Sequence, residues 1–336
     1  MNILAEFCGG AGCAGFDACL RHLRLSGADR KNYENLRPLF CYTVRQEETA
    51  MKNDVELTGA VIDYIEGHLS EKLDLETVAK AVHYSKYHLH RAFAQAAGLT
   101  IHDYALRRQL TEAAKLLVYS DRSILEIALS AGYESQQAFT FAFREMYKKP
   151  PGKYRDEKIF YPLQLACVWR GISQKPAGGG DWKNRIRPAE MEDIPGWMDL
   201  AGQVVGGFPC FDEIQYRKRL REYISGGRTL VLTYGEETVG AMGLTPETGS
   251  IDFWGIHPRY RKLGIAPAFL RQAFSMVKDG EELSITTFRE GDRADPGCRD
   301  SFRKLGFSEA ELLVEFGYPT QRFVLRKSRW EEFFHG

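Results

Sequence analysis

The sequence predicts two domains of different class. An all-α unit of two helix-turn-helix pairs spans 57–156, a connector follows at 157–184, and an α/β unit spans 185–330. Three observations predict this. The length, 336 residues, suits about two domains. Over 57–156 the apolar residues recur at helical spacing, and one pattern of short helix, tight turn and second helix occurs twice. From 185 onward β-branched runs alternate with amphipathic helical stretches.

Composition narrows the classes of function. Hydrophobic residues make up 44% and aromatics 12%, enough to fill cores and too much for a disordered chain. Lys+Arg and Asp+Glu are both 45, which excludes a uniformly basic nucleic-acid binder but leaves room for a local basic face. No stretch reaches the ~18 apolar residues of a membrane span, and no secretory leader is evident, so no membrane partner is expected and a cytoplasmic location is. The seven cysteines contain no CxxC pair, so neither structural zinc nor a disulfide framework is expected. Residues 1–50 hold four of them and show poor periodicity. We read 1–50 as an extension upstream of a natural start at Met51. Gln46 to Met51 can be encoded as CAG GAG GAA ACN GCN ATG, which places AGGAGG about eight nucleotides before ATG.

In the first unit, Val61, Ile62, Ile65 and Leu69 share a helical face. Asp74 caps a short helix with Leu75, Val78, Ala79 and Val82 at i, i+3, i+4, i+7. His83-Tyr84 is the turn, and Ser85 caps a helix ending near Gly98. Its inward residues are Leu89, Phe93 and Ala97, so Tyr87, His90 and Arg91 face outward. A linker helix over about 102–118 follows, with Leu106, Leu110, Ala113 and Leu117 inward. Ser123 to Glu126 reads as a capping box, Gly132 as a turn, and Ser135 as the cap of a last helix that Pro150-Pro151 stops. Phe139, Phe143 and Met146 face inward; Gln136, Gln137, Thr140, Phe141 and Arg144 face outward. Charge over 51–160 balances at 15 basic and 15 acidic residues. Locally it does not. Lys80, Lys86, Arg91, Arg107 and Arg108 stand against Asp103 alone over 80–110. Arg144, Lys148, Lys149, Lys153, Arg155 and Lys158 stand against three acids over 144–158. These cations bracket the second helix of each pair, where DNA phosphates would lie.

The run SKYHLHRAFAQAAGLTIHDYALRRQLTEAAKLL, continued by SILEIALSAGYESQQAFTFAFREMYKKPPGKYR, resembles the AraC/XylS family DNA-binding domain, in its branch of multidrug- and stress-response activators. The resemblance implies a transcription regulator with promoter DNA and RNA polymerase as partners, acting on the bacterial nucleoid. It also implies base-reading roles for Tyr87, His90 and Arg91 in the first recognition helix and for Gln136 and Gln137 in the second. Lys86, Thr140 and Phe141 join them on the same faces. Phe141 departs from the arginine common in that branch. A phenylalanine can meet a thymine methyl but cannot read guanine bidentately.

Phe160 to Leu163 and Leu165 to Trp169 read as a tail packed on a neighbouring domain. The run 174–181, with Gly178-Gly179-Gly180, reads as a flexible linker that leaves the domains free to move. In the second unit Arg185-Ile186-Arg187 is a short strand, with helices from about Asp193 and over 212–225. Thr229–Thr233 and Thr238–Leu244 form a hairpin about Tyr234 to Glu237. Strands are also expected at 251–256, 283–288, 311–316 and 321–326, and a helical turn at Ser301–Leu305. The informative piece is a strand, a basic loop, a glycine and a helix. N–H groups at a helix start bind anions, and Gly264 and Ala266 keep side chains small there. Arg259, Arg261 and Lys262 add charge.

With FRKLGF downstream, this unit resembles the GNAT acetyltransferase superfamily. The resemblance implies acetyl-CoA as cosubstrate or ligand, with no metal. Ile256, His257, Arg261, Lys262, Gly264, Ile265 and Ala266 would form the cofactor-binding segment. It further implies direct acetyl transfer to an amine acceptor. Asp252, Glu290 and Asp292 are candidates for the base, each also reading as an ion-paired surface carboxylate; Asp252 and Glu290 are put forward as catalytic. Phe302 stands where many relatives carry a tyrosine that protonates the departing thiolate. That departure leaves two readings open: an N-acetyltransferase, or a non-catalytic acyl-CoA or small-molecule sensor that controls DNA binding. Tyr318-Pro319-Thr320 reads as a turn or as acceptor lining.

Overall fold

In a computed structural model of the chain, the residues described are 56–167, 182–204, 213–261, 263–277, 282–315 and 317–335. The extension, Met51 and the flexible linker 174–181 lie outside them.

The first domain is all helical. Helix α1 (56–67) buries Val61, Ile62 and Ile65. Helix α2 (Leu75–Ala81) starts where the Asp74 carboxylate accepts from Thr77 N at 2.8 Å. Helix α3 (Lys86–Ala97) is capped by Ser85 and ends on left-handed Gly98. Helix α4 (Ile101–Tyr119), 19 residues and about 28 Å long, links the two halves. Helix α5 (Ile124–Ser130) carries the Ser123/Glu126 capping box, and α6 (Gln136–Tyr147) ends on Lys148 at φ 60°. The proline pair stops α6 as expected, but Pro151 also begins α7 (Pro151–Glu157), which the sequence reading missed. Proline's fixed φ suits the first helical position. Helix α7 brings Tyr154 under Phe143 and Tyr147. The Tyr147 and Tyr154 hydroxyls both donate to the Tyr161 carbonyl, tying the tail to the core.

Four cations expected near phosphates are turned inward instead. Arg108, 5% exposed, donates Nε and Nη2 to the two Glu66 oxygens at 2.7 and 2.8 Å, fixing α1 to α4. Arg107, 3% exposed, donates to the Ala294 carbonyl. Lys148 pairs with Asp292, and Arg155 donates to the Leu117 and Arg122 carbonyls. Each is taken up by an acceptor within the protein, which a linear count of cations cannot reveal.

The second domain is a seven-stranded sheet in the order β1-β2-β3-β4-β5-β7-β6. The strands are β1 (Arg187–Pro188), β2 (Thr229–Tyr234), β3 (Glu237–Thr245), β4 (Ser250–Ile256), β5 (Glu282–Phe288), β6 (Ser308–Glu315) and β7 (Tyr318–Arg326). All neighbours are antiparallel except β4 and β5. Helices α8 (Ile194–Val204) and α9 (Glu213–Ser225) cover one face through Trp197, Leu220 and Phe253. Helices α10 (Ile265–Met276) and α12 (Lys327–His335) cover the other through Phe269, Phe274 and Trp330. Phe269 lies so close to β3 that a Cβ on Gly240 would stand 2.7 Å from its ring. Helix α11 (Cys298–Lys304) starts three residues before the expected turn.

Three expectations change here. Strand pairing begins at Arg187, two residues after the expected start. Tyr318 to Thr320 belong to β7, opposite Glu315, Val314 and Leu313 of β6, with Phe288 of β5 on the other side of Thr320, and form no turn. Trp182, placed in the connector, is buried in the second core, where its indole N–H donates to the Leu263 carbonyl at 2.7 Å. The domains also share a buried interface. Tyr161 and Leu163 pack with Ala294, Tyr318 and Phe288, in the same cluster as Phe143 and Tyr147.

Candidate functional site

The first candidate surface is the outer face of α3 and α6. Both helices turn their aromatic and aliphatic residues inward: Leu89 and Phe93 in α3, Phe139, Phe143 and Met146 in α6, all at most 2% exposed. Helical periodicity then forces the intervening residues outward. Tyr87, 80% exposed, and His90 and Arg91 lie on the outer face of α3. Gln136, Gln137 and Phe141, the last 62% exposed, lie on that of α6, with Thr140 half-buried beside them. Lys86 is exposed and pairs with Glu76 at 3.3 Å. One stripe presents a guanidinium and an imidazole, the other two amides and a phenyl ring. These donors, acceptors and apolar surfaces suit base edges in a major groove.

The second candidate is the cleft between β4 and β5. The two parallel strands pair at a single position, Ser250 with Ser284. Beyond it they share no ladder, so the facing backbone edges remain available to a chain-like amide ligand. At the open end β4 runs through His257 and a 3-10 turn (Pro258–Tyr260) into α10. Gly264 caps α10 at φ 74° with no atom within 4 Å of where a Cβ would stand. The 12-residue helix therefore starts at an open position without a side-chain cap, where backbone N–H groups could receive a diphosphate. Ile265 is buried and Ala266 half-buried, holding the helix start on the sheet. Arg261 Nε donates to the Ile256 carbonyl at 3.2 Å. Lys262 lies outside the described residues.

His257 is 2% exposed; its Nδ1 accepts from Arg259 N at 3.3 Å. Burial, with Arg259 and Arg261 adding repulsion, pushes its pKa down to about 4. An unfolded histidine titrates near 6.5, so between pH 4 and 6.5 the unfolded chain binds a proton that the fold does not. Stability should therefore rise with pH across this window and level off above it. In denaturant titrations at a series of pH values, His257→Gln should flatten that rise; an undiminished slope would contradict the assignment.

Deeper in the cleft, Trp254 of β4 stacks on Phe302 of α11 at 6.1 Å and 27°. The Trp254 indole N–H is buried without a hydrogen-bond partner among the described residues. Cys298, at the start of α11, has its thiol pushed up to about 11 by burial, which removes a thiolate nucleophile. The candidate bases are not brought together. Asp252 sits near the paired end of β4, accepting from Tyr223, Thr245 and Ser250 hydroxyls at 2.9, 2.8 and 3.2 Å. Glu290 is exposed beyond the end of β5, 4.0 Å from Arg303. Asp292, its side chain 3% exposed, is occupied by Lys148, Ala294 N and the Tyr318 hydroxyl. Among the described residues, no group of three or more His, Cys, Asp or Glu is placed to hold a metal ion, and no helix is long and apolar enough to cross a membrane.

The residues that sequence reasoning missed are Trp182 and Trp254, and for Arg107 and Asp292 it missed the partners, the Ala294 carbonyl and Lys148. Trp182 braces the loop before α10 from 81 positions away. Only Arg107 carried a local signal, a cation inside the apolar stripe of α4.

Comparison with known proteins matches a helix-turn-helix domain model to residues 78–157 and an acetyltransferase (GNAT) domain model to residues 199–317. An uncharacterized HTH-type transcriptional regulator, YbfP of Bacillus subtilis (strain 168), is 43% identical over 94 residues, which are 28% of this chain and 32% of YbfP. The multiple antibiotic resistance protein MarA of Escherichia coli (strain K12) is 40% identical over 110 residues, 31% of this chain and 87% of MarA. The chain thus spans about a third of YbfP and most of MarA. A solved GNAT-family acetyltransferase from Bacillus cereus ATCC 10987 covers 42% of this chain and 96% of that one, at 16% identity and a TM-score of 0.34.

Proposed function

We propose, for a chain that belongs to the AraC-type helix-turn-helix family and carries a GNAT acetyltransferase domain, the role of a sequence-specific DNA-binding transcription regulator whose second domain takes acetyl-CoA. The observation that carries this reading is the pair of outward stripes on α3 and α6, each backed by a buried aromatic core. Arg91 reads guanine in the first half-site. Gln136 and Gln137 read adenine in the second, and Phe141 meets a thymine methyl. RNA polymerase is the further partner of such a regulator, and the nucleoid its place of action.

In the second domain the bare N–H groups at Gly264 hold the diphosphate, and the unpaired edges of β4 and β5 hold the amide arm. The first reading is acetyl transfer. An amine attacks the thioester carbonyl and gives up its proton through water, a backbone N–H stabilises the developing oxyanion, and CoA leaves as its thiolate, which takes up that proton. Specific observations favour the second reading, a sensor. Phe302 is stacked under Trp254 and has no proton to give, Asp252 and Asp292 are held by other partners, and Glu290 stands exposed beyond the end of β5. Thiol release from acetyl-CoA, measured over polyamines, aminoglycosides and amino acids, separates the two. Release above the no-acceptor background identifies a transferase. Tight acetyl-CoA binding with no release identifies a sensor. Failure to bind acetyl-CoA removes the transferase and the acetyl-CoA sensor and leaves a sensor of another small molecule.

A further inference from the structure

The two recognition helices end on the two loops that bracket the cleft. Helix α3 ends at Gly98, where a Cβ would lie 2.6 Å from Arg261 Nη1 and 3.5 Å from Pro258 Cβ. The loop from β4 to α10 is therefore seated against the end of the first recognition helix. Helix α6 ends at Lys148, whose ammonium donates to the Glu145 carbonyl at 2.6 Å and pairs with Asp292 at 2.8 Å. Asp292 belongs to the loop from β5 to α11. It is held there by Ala294 N at 2.8 Å and the Tyr318 hydroxyl at 3.0 Å. Between these two contacts, Arg107 of the linker helix donates to the Ala294 carbonyl at 2.6 Å. The outward stripes of α3 and α6 stay exposed, so this docking leaves the DNA-reading faces open.

We propose that these loops form a clamp through which acyl-CoA controls the spacing of the two recognition helices. The inference rests on the acyl-CoA and DNA readings above. The physical link is Arg261. Its guanidinium lies against Gly98 at the end of α3 and its Nε donates to the Ile256 carbonyl, three residues before the Gly264 seat. A diphosphate arriving at that seat attracts this guanidinium, so ligand and α3 compete for one side chain. Acyl-CoA then loosens the first foot of the clamp while Lys148 and Asp292 hold the second. Two half-sites read at once need a fixed helix separation, about 34 Å along the duplex for one turn. A clamp with one foot free presents the pair less well ordered and binds DNA more weakly. A ligand shifts such an equilibrium only by its differential affinity for the two states, and Arg261 supplies that difference.

The test uses the full chain, an oligonucleotide that this chain enriches from a random pool, and acetyl-CoA. Fluorescence anisotropy gives the DNA dissociation constant with and without saturating acetyl-CoA. Calorimetry gives the acetyl-CoA constant with and without DNA. The clamp predicts that acetyl-CoA weakens DNA binding about fivefold or more, and that DNA weakens acetyl-CoA binding by the same factor, as linkage requires. Asp292→Asn releases the second foot. It should start from weaker DNA binding and show a residual acetyl-CoA effect below about twofold, with a melting curve that reports a folded chain. A wild-type chain that binds both ligands with no mutual weakening overturns the clamp and leaves the functional reading standing. Asp292→Asn with wild-type DNA affinity and full coupling overturns the role of the second foot. No binding of acetyl-CoA overturns the functional reading and the clamp with it.

Discussion

Arg91→Ala weakens binding of the chain to its own enriched DNA site by about 1–3 kcal/mol, roughly 5- to 150-fold, at fixed salt. Arg91 projects from the outer face of α3, backed by Leu89 and Phe93, and its helix ends two turns later at Gly98. A guanidinium so placed donates two parallel hydrogen bonds to guanine O6 and N7. Removing it leaves those acceptors without their partner inside the groove. The loss should be specific: discrimination at one base pair relaxes, while the slope of affinity against salt falls by no more than one phosphate contact. A purely phosphate-binding Arg91 would instead weaken all sequences alike. Competition assays with single-base variants of the site separate these outcomes, and unchanged affinity would refute the assignment of α3 as a recognition helix.

Gly264→Val removes acetyl-CoA binding. Each backbone N–H given to a charged oxygen contributes about 1.5–3 kcal/mol, so losing two costs about 100-fold or more. The position is exposed and its surroundings are open, so the valine clashes with nothing already in the fold. It fills the space the diphosphate needs. The left-handed backbone at φ 74° adds a strain of about 1–2 kcal/mol to a β-branched residue, a cost a melting curve will register as a small shift. DNA binding in the absence of acetyl-CoA should persist, since no atom lies within 4 Å of where a Gly264 Cβ would stand and Arg261 is retained. Calorimetry that finds wild-type acetyl-CoA affinity would remove the seat from α10.

Much of this molecule was legible in the residues. The capping serines, Ser85, Ser123 and Ser135, announce helix starts because each hydroxyl satisfies a free N–H locally. Likewise the inward phenylalanines fix which face of α6 is turned outward, since period 3.6 leaves no choice. The strand–loop–glycine–helix signal placed Gly264 at the head of α10 for the same local reason. What stayed hidden depends on partners distant in sequence. Arg107 and Arg108 look like a basic surface pair, yet one reaches Ala294 and the other Glu66. Lys148 reads as a phosphate cation until Asp292 appears opposite it. A glycine-rich connector suggests free domains, whereas Tyr161 and Leu163 pack against Tyr318 and Ala294. Asp252 and Glu290 look equally available in the sequence, yet Asp252 accepts from three hydroxyls near the paired end of β4 and Glu290 lies past the end of β5.

The most direct measurement is enrichment of bound duplexes from a random pool by the purified full chain at moderate ionic strength. The account predicts a defined bipartite site, with two half-sites centred about one helical turn apart and a guanine under Arg91 in one of them. A pool that stays unenriched, with affinity set by salt alone, would contradict it.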